Sequence, residues 1–198
     1  MEKESSIYNF LKNYGDKKLI SIQTAPQWPE EGKHVSDEVT LNFSDGAQIV
    51  VSAEFDDVDT FFSIDEDVVF SIKEEHGHEP FCNIGEIPIT TILVDESVVS
   101  IKVYFDEVSY ADKSISDKTI SYPIGLFIRT ANRSIGICKD CMEASWLDAD
   151  YTDADESLLY PLDSRWGVYE DVDSFVVRRK AKDYITEEVV LAEEKKFL

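Results

Sequence analysis

Apolar and polar residues alternate over long stretches of this chain, and this pattern constrains the fold more than any other feature. The alternation is regular over 99–105, and it recurs over 39–43. Successive side chains of a β-strand point to opposite faces of a sheet, so a period of two predicts strands with one buried and one solvated face. Such strands are typical of antiparallel sheets.

Turn signals between the alternating runs divide the chain into hairpins. Asp45-Gly46 separates two such runs and is a strong hairpin signal. The polar segments 65–67, 95–97 and 131–133 are predicted to be turns between further strand pairs. We therefore predict a mainly β (α+β) fold, an antiparallel sheet or sandwich of about eight to ten strands.

Both ends of the chain have helical patterns. Apolar residues over 5–14 fall on one helical face before Gly15, which predicts a short N-terminal helix. The segment 186–198 predicts a C-terminal helix or tail with Thr186 as its cap. With 198 residues and no low-complexity linker, we expect a single domain over 1–198.

Nothing in the sequence predicts export or a membrane anchor. The first residues lack the apolar core and the cleavage site of a secretory signal, and no apolar run reaches the roughly 18 residues that span a bilayer. Three cysteines, Cys82, Cys138 and Cys141, are an odd number, which argues against a disulfide framework. We expect a soluble, cytoplasmic protein.

The net charge is strongly negative and unevenly placed. The chain has 41 acidic and 19 basic residues, a formal charge of −22 at pH 7. Residues 37–107 contain 18 acids and two bases, and residues 140–173 contain 11 acids and one base. Such a field repels nucleic acid and anionic membranes and attracts cations or a basic protein. We therefore expect a basic protein as partner.

Two clusters of acids are the candidate contact surface for that partner. Together with one aromatic anchor, the candidates are Asp56, Asp57, Asp59, Asp65, Glu66, Asp67, Asp148, Asp150, Asp153, Asp155, Glu156 and Trp166. Calcium binding by 148–156 is the alternative, but an EF-hand loop starting at Asp148 would need Gly at Asp153 and Glu at Leu159. A solvated acidic loop is the simplest interpretation.

Arg165 and Trp166 interrupt the second acidic cluster. Arg and Trp are favoured at the centres of interfaces, which makes Trp166 a candidate anchor. The structural alternative pairs Arg165 with Asp163 or another local acid and packs Trp166 on the sheet.

Two imidazoles and three thiols form a candidate zinc site. His76, His78 and Cys82 would face Cys138 and Cys141, whose Cys-x-x-Cys spacing is a common zinc half-site. The spacing of the first cluster is not standard, and Cys138 continues an alternating strand in which a buried thiol is common. The alternative is a surface His loop and core thiols. No cofactor other than zinc is expected.

Motifs for catalysis are missing from the sequence. The three histidines, His34, His76 and His78, have no nucleophile elbow beside them, and no phosphate-binding glycine loop is present. A metal-dependent hydrolase using His76 and His78 is the enzymatic alternative. We expect a binding protein rather than an enzyme.

In general character, though in no motif, a small, acidic, β-rich chain without catalytic residues resembles the immunity proteins that bacteria pair with secreted toxins. That resemblance implies an inhibitor that covers the basic cleft of a toxin or nuclease. The alternatives are a nucleic-acid mimic, a metal-binding β domain, and a β domain whose acidity only keeps it soluble.

Overall fold

The computed structural model of the chain describes residues 8–24, 34–59, 64–79, 89–112, 118–139, 147–167 and 174–197, with backbone alone for 34–36, 54–59 and 64–68. These residues form eleven strands and three short helices. The strands are β1 (Lys18–Thr24), β2 (His34–Ser36), β3 (Glu38–Phe43), β4 (Ala47–Asp59), β5 (Ile64–His76), β6 (Thr90–Tyr110), β7 (Thr119–Thr130), β8 (Ser134–Lys139), β9 (Leu147–Asp150), β10 (Phe175–Asp183) and β11 (Val189–Phe197). The helices are two 3₁₀ helices, Asn9–Tyr14 and Glu156–Leu158, and one α-helix, α1 (Leu162–Trp166).

All the strand pairs are antiparallel, which confirms the predicted mainly β fold class. The strands follow the order β2-β9-β8-β7-β6-β1-β3-β4-β5, and β10 joins β11 to β6. Strand β6 connects the two halves: its first part pairs with β1, and its second part pairs with β7 and β10. One long strand therefore belongs to both halves of the sheet.

The predicted turn at 95–97 is wrong, because these residues continue β6. Val94 and Asp95 together lie opposite a single residue of β1, and Asp95 adopts φ 51°, so the strand bulges instead of reversing. Glu96 then reaches the β7–β8 turn, where its carboxylate accepts from the Thr130 hydroxyl at 2.6 Å and from Arg133 Nε at 3.2 Å. The hydrogen bond from Thr130 is the largest of the causes that lower the pKa of Glu96. These partners are far away in sequence, so a local turn signal could not reveal them.

The predicted turn at 65–67 is also wrong. These acids lie inside β5, where Asp65, Glu66 and Asp67 pair with Val58, Asp57 and Asp56 of β4. The strand predicted at 61–64 falls almost entirely outside the described residues.

The ends of the chain differ from the helical prediction in detail. The N-terminal helix is the 3₁₀ helix Asn9–Tyr14. The predicted helix over 186–198 is instead strand β11, because pairing with β10 stacks Phe197 on Phe175 at 4.8 Å between ring centroids. The short helix of the C-terminal third is α1. Within the described ranges, no helix is long and apolar enough to cross a membrane.

A single cluster of buried side chains fills the space between the two halves of the sheet. Strands β1, β3, β4 and β5 contribute residues from one half, and β7, β8 and β9 contribute from the other. The N-terminal 3₁₀ helix adds Leu11 and Tyr14, both fully buried. The Tyr14 hydroxyl donates to Glu74 at 2.6 Å and so fixes this helix against β5.

Residues 151–167 form a layer on the outer face of the second half of the sheet. Ala154 and Leu159 pack with Tyr104, Phe127 and Cys138 in one cluster. A second cluster holds Leu162 and Trp166 of α1 against β6, β10 and β11. The acidic segment is therefore folded onto the sheet rather than free in solvent.

A buried carboxylate ties this outer layer to the sheet. Asp106 on β6 is fully buried and accepts two hydrogen bonds from Arg179 of β10, at 2.7 and 2.9 Å. Trp166 Nε1 donates to the same carboxylate at 2.9 Å, and Arg165 Nε lies 3.5 Å from it. Arg179 also donates to the carbonyl oxygen of Tyr160 at 2.8 Å. Asp106 lies 59 positions before Arg165 in the chain, outside the local segment in which the partner of Arg165 was predicted.

We expect Asp106→Ala to lower the free energy of unfolding by about 3–5 kcal/mol, because it leaves two guanidinium groups buried without their carboxylate. The exposed pair Arg178–Glu194 provides the control, and Glu194→Gln should cost less than about 1 kcal/mol. Urea unfolding followed by tryptophan fluorescence measures both. Equal losses for the two variants would contradict the role assigned to Asp106.

Candidate functional site

A polar cleft of about 380 Å³ lies on the outer face of β6. Ser100, Lys102 and Tyr104 form its floor, because alternate residues of a strand share one face. Phe127 and Arg129 of the neighbouring strand β7 extend that floor. The Tyr104 and Phe127 rings meet edge to face at 5.1 Å between centroids.

Acids from two distant segments form the walls of the cleft. Asp155 and Glu156 come from the outer layer, and Asp183 and Glu188 come from the turn between β10 and β11. Asp155, Glu156 and Glu188 are exposed, whereas Asp183 is buried. The cleft therefore has a rim of three acidic side chains above a floor that contains Lys102 and Arg129.

The acids of the cleft are held in place by hydrogen bonds. Asp183 accepts from the Ser100 hydroxyl at 2.7 Å and from the backbone N–H groups of Ile185 and Thr186 at 2.9 and 3.3 Å. Glu156 accepts from the Tyr104 hydroxyl at 2.6 Å. Burial, reinforced by this carboxylate, raises the pKa of Tyr104 well above its usual range, so Tyr104 remains a hydrogen-bond donor at neutral pH.

Two of the five predicted contact acids in the segment 148–156, Asp155 and Glu156, line the cleft, and the five differ in what they do. Asp150 accepts from the backbone N–H and the hydroxyl of Thr152, at 2.8 and 2.9 Å. Asp155 caps the 3₁₀ helix Glu156–Leu158 by accepting from the backbone N–H of Ser157, and the contacts with Ser157 lower the pKa of Asp155. Asp148 is half-buried in β9, and Asp153 is exposed. Two of the five carboxylates thus stabilise local turns.

A glycine lets this wall approach the sheet. A Cβ atom on Gly136 of β8 would lie 2.7 Å from the Ala154 Cβ atom and 2.8 Å from a Leu158 methyl carbon. Because atoms at such distances overlap, only glycine permits the acidic segment to lie this close to β8.

The other six predicted contact acids lie together in the β4–β5 ladder. Asp56 is paired with Asp67, and Asp57 with Glu66, while Asp59 and Asp65 follow in the same ladder. Strand β5 ends the sheet order on one side, and β9 lies next to the opposite end. The two acidic clusters therefore occupy different strands of the sheet.

Trp166 does not belong to the contact surface. Its side chain is fully buried among the residues of the outer layer, and its indole nitrogen is bound to Asp106. The interpretation in which Trp166 packs on the sheet agrees with this placement, and the prediction that it anchors a partner is wrong.

The candidate zinc ligands have other partners where the structure describes them. Both ring nitrogens of His78 contact carboxylates, Nε2 with Glu38 at 2.7 Å and Nδ1 with Glu75 at 3.0 Å. When the ring is protonated it donates to both carboxylates, and in that state it has no lone pair for a metal. His76 is exposed, and Cys138 is buried beside Gly125 beneath the outer layer.

Within the described part of the chain, no group of three or more His, Cys, Asp or Glu side chains is arranged to hold a metal ion. Cys82 and Cys141 lie outside the described residues, and so does any ligand set that would include them.

Sequence reasoning missed Lys102, Arg129, Asp183 and Glu188 as site residues. The alternation over 99–105 carries a signal for one part of the site, because it places the polar residues 100, 102 and 104 on one face of β6. The other residues reach the cleft through strand pairing and through the β10–β11 turn, which single-strand patterns do not reveal.

The His78 contacts predict a pH-dependent contribution to stability. Partial burial disfavours the charged ring, but the hydrogen bonds and charges of Glu38 and Glu75 outweigh it and raise the pKa of His78 above 6.5. A raised pKa in the folded state gives stability that is complete below the pKa of the unfolded chain and is lost as the pH rises through the folded-state value. His78→Gln should therefore lower the free energy of unfolding by about 1 kcal/mol at pH 5.5, and by less as the pH rises above neutrality.

Urea unfolding at several pH values between about 5 and 9 measures this difference. The exposed His76 provides a matched control, because His76→Gln should change stability little at any pH. A His78→Gln effect that grows with pH would contradict the prediction.

No protein-family model matches this chain, and neither a curated protein nor a solved structure shows significant similarity to it.

Proposed function

We propose that this chain is a binding protein that docks onto a basic protein surface and neutralises it. The observation that carries the proposal is the concentration of charge, since residues 37–107 and 140–173 have 29 acids and three bases between them. A surface with such a field attracts a positively charged protein and increases the rate of association.

The ion pairs support this proposal because they leave the excess of acids uncompensated. Lys17 pairs with Asp45 at 2.7 Å and Lys18 with Asp95 at 3.1 Å, and further pairs use other bases of the described residues. Each base neutralises only one acid, so the excess of acids over bases remains after every ion pair has formed. Exposed acids such as Asp153 therefore determine the sign of the surface field.

The cleft with its acidic rim is a concave part of this acidic surface. Asp155 and Glu156 are positioned by hydrogen bonds, so their charges are oriented before a partner arrives. Preorganised charges lose less conformational entropy on binding than mobile ones. In the manner of immunity proteins, the partner class that fits best is a toxin or nuclease whose own active-site cleft is basic.

The partner can be captured through the exposed acidic segment beside the cleft. A photo-crosslinking amino acid at Asp153, with the same residue at the exposed Asp16 as the control, is activated in host cells, and the crosslinked protein is identified by mass spectrometry. We expect a basic protein to be captured from position 153 and not from position 16. The association rate of the purified pair should then fall at least tenfold as NaCl is raised from about 50 to about 500 mM.

Charge-removing variants test the contribution of the wall to this association. The triple variant Asp153→Asn, Glu156→Gln and Glu188→Gln should slow association about tenfold at low salt, whereas Asp16→Asn should not. The amides keep the shape of the carboxylates and one of their two acceptor oxygens, so the side chain of Glu156→Gln can still accept from Tyr104. An association rate that depends on neither salt nor these charges would overturn the proposal, as would capture of an acidic partner.

A further inference from the structure

Two cations of the cleft have no partner in the structure. Lys102 is half-buried and Arg129 is exposed, and neither side chain forms a hydrogen bond or an ion pair within the described residues. Arg133, Arg178 and Lys180, in contrast, each pair with a carboxylate. Asp183 lies opposite Lys102 across the β6–β10 ladder, but its carboxylate is occupied by Ser100 and two backbone N–H groups.

Strand register brings these two cations to one place. Arg129 pairs with Ser100, and Lys102 is two residues further along β6, opposite Phe127. Diagonal neighbours of this kind are about 7–8 Å apart at the backbone, a distance that long side chains span easily. A guanidinium and an ammonium group so placed can bind one carboxylate, the first through paired N–H donors and the second as a point charge.

The surrounding acids restrict the kind of carboxylate that can enter. Asp155, Glu156 and Glu188 form the rim, and the whole protein carries a charge of −22, so a simple anion would be repelled before it reached the floor. A ligand that also carries an ammonium group can place its positive charge against the rim. The Tyr104–Phe127 pair offers an apolar surface between the two.

We propose that this cleft binds a small amino-acid-like zwitterion, with its carboxylate on Lys102 and Arg129 and its ammonium charge against Glu156 and Glu188. The cleft volume of about 380 Å³ is in the range of small-molecule sites. The proposal does not depend on the basic protein partner proposed above, because a small molecule inside the cleft is bound through the two floor cations together with the rim, whether or not a protein covers the acidic surface.

Three matched probes test it by NMR titration of the ¹⁵N-labelled protein. L-lysine has both kinds of charge, cadaverine is the same molecule without the carboxylate, and hexanoate has the carboxylate without an ammonium group. We expect L-lysine to bind at least tenfold more tightly than either of the others, with shifts in the amide signals of 100–104 and 127–129. Equal affinity for L-lysine and cadaverine would overturn the proposal, as would shifts confined to other residues.

Substitutions of the two floor cations test their contribution to binding separately from that of the acidic rim. Lys102→Met and Arg129→Gln should each weaken L-lysine binding at least tenfold without weakening cadaverine binding, and Lys102→Arg should restore most of the affinity. Lys12→Gln, at an exposed position of the N-terminal 3₁₀ helix, is the control for loss of one positive charge. A native-like amide spectrum verifies folding of each variant, and unchanged L-lysine affinity in both floor variants would overturn the proposal.

Discussion

The buried carboxylate of Asp106 is the interaction on which the candidate site depends. Its two hydrogen bonds from Arg179 join β6 to β10, and its bond from Trp166 draws α1 onto the same sheet. Arg179 also donates to the carbonyl oxygen of Tyr160, so the same network holds a second point of the outer layer on the sheet. Because that layer supplies the acidic wall, the shape of the cleft follows from a charge network that is itself remote from solvent.

The sequence predicts most strands but misplaces several turns, and the reason is the same in each case. Alternation depends only on neighbouring residues, so a regular run such as 99–105 is recognised correctly. The polar segment 95–97 resembles a turn locally, yet the Glu96 carboxylate accepts hydrogen bonds from Thr130 and Arg133 of another hairpin. Likewise, the segment after Thr186 could form a helix by itself, and its pairing with β10 makes it a strand.

Of the candidate site, the sequence predicts only the charge, because net charge follows from composition. Composition reveals the sign of the field, but it cannot distinguish acids that stabilise turns, such as Asp150 and Asp155, from an exposed acid such as Asp153. The cations of the cleft are harder still to find. Lys102 and Arg129 are 27 positions apart, and only the β6–β7 register makes them neighbours.

The proposed binding role and a role in solubility alone make different demands on where the acids lie. A chain that needed only solubility could distribute its acids so that they avoid one another. Here the backbone register pairs Asp56 with Asp67 and Asp57 with Glu66, which concentrates four acids in one ladder. In the proposed binding role, a concentration of acids on two neighbouring strands would increase the attraction of a basic protein to this part of the sheet.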